Sequence, residues 1–528
     1  MKRRELLAGL SAGAAGSLLP GRGLAADKAV TPEQFGAKGD GVTNDSAAFA
    51  ALAAHVNAQR GGEIAFRRGA TYVVGRQGGF NRKTRYAFEP APLLEIAGCT
   101  RPLVIRGNGA RLKCALGLRY GTFDRATGQP LFHKMPHRGW DQLATPYRWM
   151  IKIEDCTAPI DISDLELDGN LGALMLGGGH GDTGHQIPGT GIGLYDNKGG
   201  ETLRRIHTHH HALDGLIVDG PSWDPAERFS GTIEEVRSEY NGRQGCSVTG
   251  GGRYRFSRCR FNHTGRAGIS SAPGAGVDVE AEAGKKVGDL LFSDCVFADN
   301  AGQGMVADSG PSEGARFLRC TFVGTTNWSV WPNKPGIRFQ ECTFVGPIVR
   351  AFGDAERPDR ATQFLQCRFL DDPALSPTGE VYGGENPDRP IADLPDNPNV
   401  RFSGCDFSLT HRAVLPWTTN VVIYSDCRMS QRSRKQSYPR GTFLGRSRID
   451  GNVVLAGSIV RGELVVNGRR VPPGRVSAAD MRTRVEEARA EQAADAELVQ
   501  RDVADDLDGE EIIPFLIDRS GEVELGRA

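Results

Sequence analysis

Apolar residues in this chain fall mostly in short runs that alternate with polar ones. The most regular series lies between Phe256 and Met429. One unit recurs there: an aromatic, two residues, a Cys, one residue, an apolar side chain. It reads Phe256-Ser-Arg-Cys259-Arg-Phe261, Phe292-Ser-Asp-Cys295-Val-Phe297, Phe317-Leu-Arg-Cys320-Thr-Phe322, Phe339-Gln-Glu-Cys342-Thr-Phe344, Phe364-Leu-Gln-Cys367-Arg-Phe369, Phe402-Ser-Gly-Cys405-Asp-Phe407 and Tyr424-Ser-Asp-Cys427-Arg-Met429. Successive cysteines stand roughly 22 to 38 residues apart. A unit of that size cannot bury its own apolar face and must stack on its neighbours. Cys and the next apolar residue are two apart, which places both on one side of a strand. The pattern predicts an all-β chain, a single parallel solenoid with each Cys inside, above the Cys of the coil before.

Upstream, Ile162-Ser-Asp-Leu165, Leu203-Arg-Arg-Ile206 and Ile233-Glu-Glu-Val236 match Phe256-Ser-Arg-Cys259 in position. The core column therefore changes from aliphatic to aromatic and Cys along about ten coils. A second strand, aligned by Gly, follows in each coil: Gly191-Ile-Gly-Leu-Tyr195, Gly215-Leu-Ile-Val-Asp219, Gly245-Cys-Ser-Val-Thr249, Gly276-Val-Asp-Val-Glu280 and Gly304-Met-Val-Ala-Asp308. Alternation points Ile192, Leu194, Leu216, Val218, Cys246, Val248, Val277, Val279, Met305 and Ala307 inward. Two columns point outward: Gly193, Ile217, Ser247, Asp278, Val306, and Tyr195, Asp219, Thr249, Glu280, Asp308.

The ends differ from this repeat. Phe35-Gly-Ala-Lys-Gly-Asp40-Gly-Val-Thr-Asn44-Asp45-Ser46 precedes an Ala-rich helix expected over about 46–55, with Asn44, Asp45 or Ser46 able to cap it. Glu63-Ile-Ala-Phe66, a turn at Gly69 and Tyr72-Val-Val74 follow. This segment resembles the start of the pectate lyase-like and polygalacturonase-like right-handed β-helix superfamily, which also includes phage tailspikes. The resemblance implies a right-handed solenoid whose open end is plugged by the N-terminal α-helix. Residues 76–150 are irregular, with aromatic and basic loops expected to overhang one face. Beyond Met429 the motif fades. A charged, Ala-rich helix is expected from Ser477 to about Gln500, then an acidic tail. The organisation expected is a signal at 1–26, a cap with first strands at 27–75, the β-helix at 76–470, and a C-terminal helix and tail at 471–528.

Composition refines this. Lys and Arg number 64, as do Asp and Glu, so no net charge argues for nucleic acid. Lys2-Arg3-Arg4, a short Gly/Ala-rich apolar stretch from Leu6 to Leu19, and Leu24-Ala25-Ala26 read as an export signal. The paired arginines resemble a twin-arginine signal, which implies a periplasmic or secreted protein. No later apolar run is long enough to span a membrane. Eleven cysteines in an exported chain would ordinarily suggest disulfides. Seven of them share one inward position, so they are expected to stack as small buried hydrophobes. No Cys-x-x-Cys pair exists for a metal.

The candidate chemistry lies on the outward columns. Asp219 and Glu280, two rungs apart, would stand about 9.6 Å apart, and Asp278 and Glu280 roughly 6.6 to 7 Å apart. Inverting glycosidases place two carboxyls about 6.5–9.5 Å apart, and crowding supplies a protonated acid. Glu280 and Asp219 are the expected acid/base pair, assisted by Asp278 or Asp308. Tyr195, Arg243, Arg266, His211 and His185 are the expected sugar-binding residues. The first reading is an exported polysaccharide-degrading enzyme, most simply a glycoside hydrolase needing no cofactor. A polysaccharide lyase acting on a uronic-acid polymer, with Ca²⁺ and a base among Arg243, Arg266, His211 and Tyr195, is the alternative. A non-catalytic carbohydrate-binding or envelope solenoid is the third, in which the outward acids are merely solvated. His207, His209, His210 and His211 form a cluster able to bind a metal, act as a base or line a turn; no metal site is assigned. The polygalacturonase pattern is not met: His211-Ala-Leu-Asp214-Gly matches it loosely, no adjacent Asp pair or Arg-Ile-Lys follows, and Gly179-His180-Gly181 comes before that Asp.

Overall fold

The computed structural model describes residues 29–477 except 85, 132–141, 179–185, 227–228 and 384–388, together with the backbone of 515–517 and 523–525. The expected signal at 1–26, the helix after Ser477 and His185 lie outside the described residues. Among those described, no helix is long and apolar enough to cross a membrane.

Each later coil is built from three short parallel strands. In one coil these are Leu291–Ser293, Val296–Ala298 and Met305–Ala307. The first two carry the Phe-x-x-Cys-x-Phe motif, so the motif is a bent pair of strands and not one. The bend sits on the residue before Cys, where Asp294 takes a left-handed backbone with φ 56°. The same corner recurs at Asp164, Arg205, Glu235, Arg258, Arg319, Glu341, Gln366 and Asp426. A non-glycine residue held left-handed costs roughly 1–2 kcal/mol. Alternating charge at the corner offsets part of it. Arg205 meets Asp164 at 2.6 Å, Arg258 meets Glu235 at 3.2 Å, and Arg319 meets Asp294 at 2.8 Å. These pairs are exposed and screened by solvent, so each offsets only a small part of that cost.

Inside the bend the register is strict. Ile162, Leu203, Ile233 and Phe256 are successive partners, as the sequence predicts. Phe256, Phe292, Phe317, Phe339, Phe364, Phe402, Tyr424 and Phe443 continue the column. Their rings stack at 4.3 to 5.4 Å. Strands lie about 4.7–4.9 Å apart, so an aromatic column repeats at the spacing the backbone already imposes. A second column, Phe261, Phe297, Phe322, Phe344, Phe369 and Phe407, meets the first edge-on, as Phe344 does Phe339 at 5.3 Å and 75°.

All eleven cysteines are buried and unbridged. The thiols of the repeat point inward at the corner and donate to the carbonyl of the aromatic one coil back. Cys342 reaches Phe317 O at 3.4 Å and Cys367 reaches Phe339 O at 3.4 Å. Burial pushes the Cys405 thiol well above its ordinary value, so it stays an inert thiol.

The third wall runs through twelve strands, from Leu94–Ala97 to Tyr438–Pro439. It is called the glycine sheet here. Ile192, Leu216, Cys246, Val277 and Met305 are in register and buried, so Gly191, Gly215, Gly245, Gly276 and Gly304 align. Glycine is needed for room: a Cβ at Gly215 would lie 2.0 Å from Ser238 Oγ.

At the N-terminal end the helix Ser46–Gln59 buries Phe49, Leu52, Ala53 and Val56 against the first coil. It runs one turn beyond the expected His55. Asp45 accepts from the Lys38 and Gly39 amides, at 2.7 and 3.0 Å. The expected loops at 76–150 supply three strands of a small separate sheet, Tyr86–Phe88, Arg119–Thr122 and Leu143–Ala144, to which Met175–Leu176 adds the fourth. At the other end Glu463–Val466 turns back antiparallel on Arg469–Val471 and closes the edge.

Candidate functional site

The outer face of the glycine sheet opens into a cleft of about 230 Å³ lined by Gln186, Arg243, Ser247, Thr249, Asp278, Glu280 and Glu282, with Ala272-Pro273 at its edge. Its floor is a polar network. Arg243 grips Asp214 with two hydrogen bonds, at 2.9 and 2.6 Å, and Ser247 Oγ donates to the same carboxylate at 2.9 Å. Gln244 Nε2 donates to Asp278 Oδ2 at 2.9 Å, while its carbonyl accepts from the Ala275 amide at 3.0 Å. Strict alternation would turn Asp214 and Gln244 inward with Leu216 and Cys246. Instead the chain changes face across Gly215 and Gly245, and both side chains join the outer wall.

The network sets the charges. Asp278 is only 7% exposed. Burial, and then the neighbouring Glu280, push its carboxyl well above the usual carboxylate range. Burial disfavours charge on Arg243, but the Asp214 carboxylate more than offsets it and the guanidinium stays a cation. Ser309 Oγ donates to Glu280. Among the described residues no three cleft carboxylates bring their oxygens within 4.8 Å of one another.

The structure brings Asp278, Glu280 and Arg243 together, and leaves the other expected site residues elsewhere. A bulge in the strand Gln244–Gly252 pairs Asp219 with Gly250, so the column through Thr249 is broken. Asp219 is turned onto Lys285, away from Glu280. Asp308 is exposed and accepts from Asn333 Nδ2 at 2.8 Å. Tyr195 lies buried against Trp149, whose Nε1 donates to its hydroxyl at 2.9 Å. Arg266 is bound to Asp299 at 3.1 Å and to Thr325 at 2.9 Å. His211 is fully buried, with Nδ1 2.9 Å from Tyr147 Oη, and cannot touch a substrate. Burial drives its pKa down to about 3. Sequence reasoning did not place Gln186, Gln244, Glu282 or Lys285 in the site. A polar residue before the aligned glycine at Asp214, Gln244 and Gln303 is the signal that it left unused.

The family described as right handed beta helix region matches residues 183–344. The chain is a right-handed parallel β-helix. No curated protein matches it. Solved structures of similar fold include the A-module of mannuronan C-5 epimerase AlgE4 from Azotobacter vinelandii, at 14% identity, covering 85% of this chain and 99% of that one with a TM-score of 0.41. An exopolygalacturonase from Thermotoga maritima aligns at 12% identity over 85% and 95% of the two chains, TM-score 0.36. The tailspike gp49 of Acinetobacter baumannii bacteriophage Fri1, a capsular polysaccharide depolymerase, aligns at 13% over 88% and 66%, TM-score 0.38.

Beside the cleft, this β-helix holds a buried cation. Lys285, 6% exposed, lies 2.7 Å from Asp219 Oδ1 and 2.9 Å from Asp196 Oδ1, and its ammonium also donates to two backbone carbonyls. Burial raises the Asp219 pKa even against the pull of Lys285. Lys285→Ala leaves two little-exposed carboxylates without their cation, and is expected to lower unfolding free energy by about 3 kcal/mol at pH 8. Asp219, already raised by burial, then loses the cation that opposes that rise. The deficit therefore shrinks as pH falls from 8 and this carboxyl takes up its proton. Denaturant titrations at pH 8 and pH 5 check this; an equal loss at both would contradict it.

Proposed function

We propose that the protein is an exported enzyme that hydrolyses glycosidic bonds of a polysaccharide laid along the outer face of the glycine sheet. Asp278 acts as general acid, and Glu280 or Glu282 as the carboxylate opposite. The observation that carries the reading is a buried carboxyl, Asp278, with its pKa raised well above the usual range, beside Glu280 and Glu282 in one open cleft. Hydrolysis needs an acid for the leaving oxygen and an ionised partner for water or the sugar carbon. Arg243, fixed by Asp214, binds hydroxyls or acidic groups of the sugar.

Two features support hydrolysis along a groove. Elimination needs a base, and of the bases expected from the sequence, Arg243 and Arg266 are cations held on Asp214 and Asp299, His211 is sealed behind Tyr147, and Tyr195 is buried against Trp149. Downstream on the same outward column as Asp278 stand Val306 and Trp331. Arg350 lies over the Trp331 ring at 5.1 Å, and Trp328 meets Trp331 and Tyr382 edge-on. Trp331 Nε1, Arg389 Nε and Asp393 Oδ1 are buried without a hydrogen-bond partner among the described residues.

Purified protein incubated with a panel of acidic and neutral polysaccharides tests the reading. New reducing ends without ultraviolet absorbance from unsaturated sugars are expected. Reducing ends with that absorbance would replace hydrolysis by elimination. Neither signal on any polymer would favour a non-catalytic solenoid.

A further inference from the structure

A second cluster lies on a different wall, outside the strand that carries the corner cysteines. Residues Glu166, His207 and His209 each offer one ligand atom, all within 4.8 Å of one another. Three successive coils supply the surroundings. His207 and His209 are two apart on the strand Glu201–His209, so they share its outer face. Glu166 is the register partner of His207 one coil back, and Glu239 the partner of His209 one coil on. Glu166 Oε1 is 3.2 Å from His209 Nε2, and Glu239 Oε2 is 3.5 Å from His207 Nε2. Ligands bound tetrahedrally at about 2.0–2.1 Å stand roughly 3.3 Å apart.

We propose that Glu166, His207 and His209 bind a divalent metal of the zinc class, with the fourth position open and Glu239 beside His207. The other side of the His209 ring supports this independently. Its Nδ1 faces Asp168 Oδ1 at 3.7 Å and His210 Nδ1 at 2.7 Å. A proton on Nδ1, shared with His210 Nδ1 and with the Asp168 carboxylate farther behind, leaves the other nitrogen, with its lone pair, for the metal. Two imidazoles with one carboxylate suit Zn²⁺ better than an oxygen-seeking cation such as Ca²⁺. His207 and Glu166 are about a third exposed, at 30% and 36%, which leaves an entry path. Arg111, 3.1 Å from Glu166, and Arg237, 2.7 Å from Glu239, face the same cluster and neutralise the carboxylates before metal enters. The bound ion ties two coils together across the start of the cleft-bearing repeats.

The test is calorimetric titration of the untagged full chain, stripped with chelator and dialysed, with ZnCl₂ alone. One equivalent is expected to bind, and Co²⁺ in its place is expected to give the visible absorption of a tetrahedral site. His207→Ala and Glu166→Gln are each expected to weaken binding at least about tenfold, and Asp168→Asn, which acts through His209, by about tenfold. Thermal unfolding of these variants in chelator shows whether they remain folded. His263→Ala, in a ring stacked on Tyr240 and paired with Asp299, leaves binding unchanged. No Zn²⁺ uptake by the wild type overturns the proposal. So does uptake that survives His207→Ala with Glu166→Gln, or that is lost only with His210→Ala.

Discussion

Phe339→Ala is expected to lower unfolding free energy by about 4 kcal/mol, while Arg338→Ala one position away changes it by less than about 0.5 kcal/mol. Phe339 has no exposed surface. It is stacked between Phe317 and Phe364 at 4.9 and 5.1 Å and meets Phe322 and Phe344 edge-on. Its neighbours above and below are fixed by strand register, so the cavity cannot collapse without breaking the ladder. Arg338 points outward from the same strand. Each coil touches only its neighbours, so the loss is local, and guanidinium unfolding followed by circular dichroism should show a lower midpoint for the alanine variant. Equal midpoints for the two variants would mean the aromatic column is not what holds the coils together.

Asp278→Asn is expected to reduce kcat on the responsive polysaccharide by about 10² to 10⁴ while leaving the fold at least as stable at pH 8. The two outcomes have one cause. The folded-state pKa of Asp278 is raised, so its contribution favours folding at low pH and is lost as pH rises from the ordinary carboxyl range toward the folded value. Asn removes that cost, because it cannot ionise, and it still accepts from Gln244. It cannot donate the proton that the leaving oxygen requires. Wild-type kcat should accordingly fall as pH rises through the raised pKa. Full activity in the variant would remove Asp278 from the mechanism. Lost activity together with a marked loss of stability would recast it as structural.

The repeat, its inward columns and the unbridged cysteines were legible in the chain itself. Period-two alternation with a fixed Cys is imposed by stacked parallel strands, and each residue's face follows from its own position in the repeat. The equivalence of Ile162, Leu203 and Ile233 with Phe256 was readable for the same reason. The corner was not: left-handed residues are usually sought at glycine or asparagine, and here Asp, Arg, Glu and Gln fill them, in three neighbouring pairs with an opposite charge one coil away.

The site divides in the same way. Outward carboxyls at Asp278 and Glu280 follow from alternation on one strand, which is local. The fate of Asp219 does not. It depends on a one-residue bulge in the next coil and on Lys285, 66 residues away in sequence. Arg243 and Asp214 meet across coils at a glycine where the chain changes face, and His211 is sealed by a tyrosine from an earlier loop. What this sequence by itself determined is therefore the winding and the inward columns of the repeat, since both are set within a single turn of chain. Which charged groups share a cleft, and which have their pKa values raised there, was decided only when distant coils and loops closed over one another and excluded water.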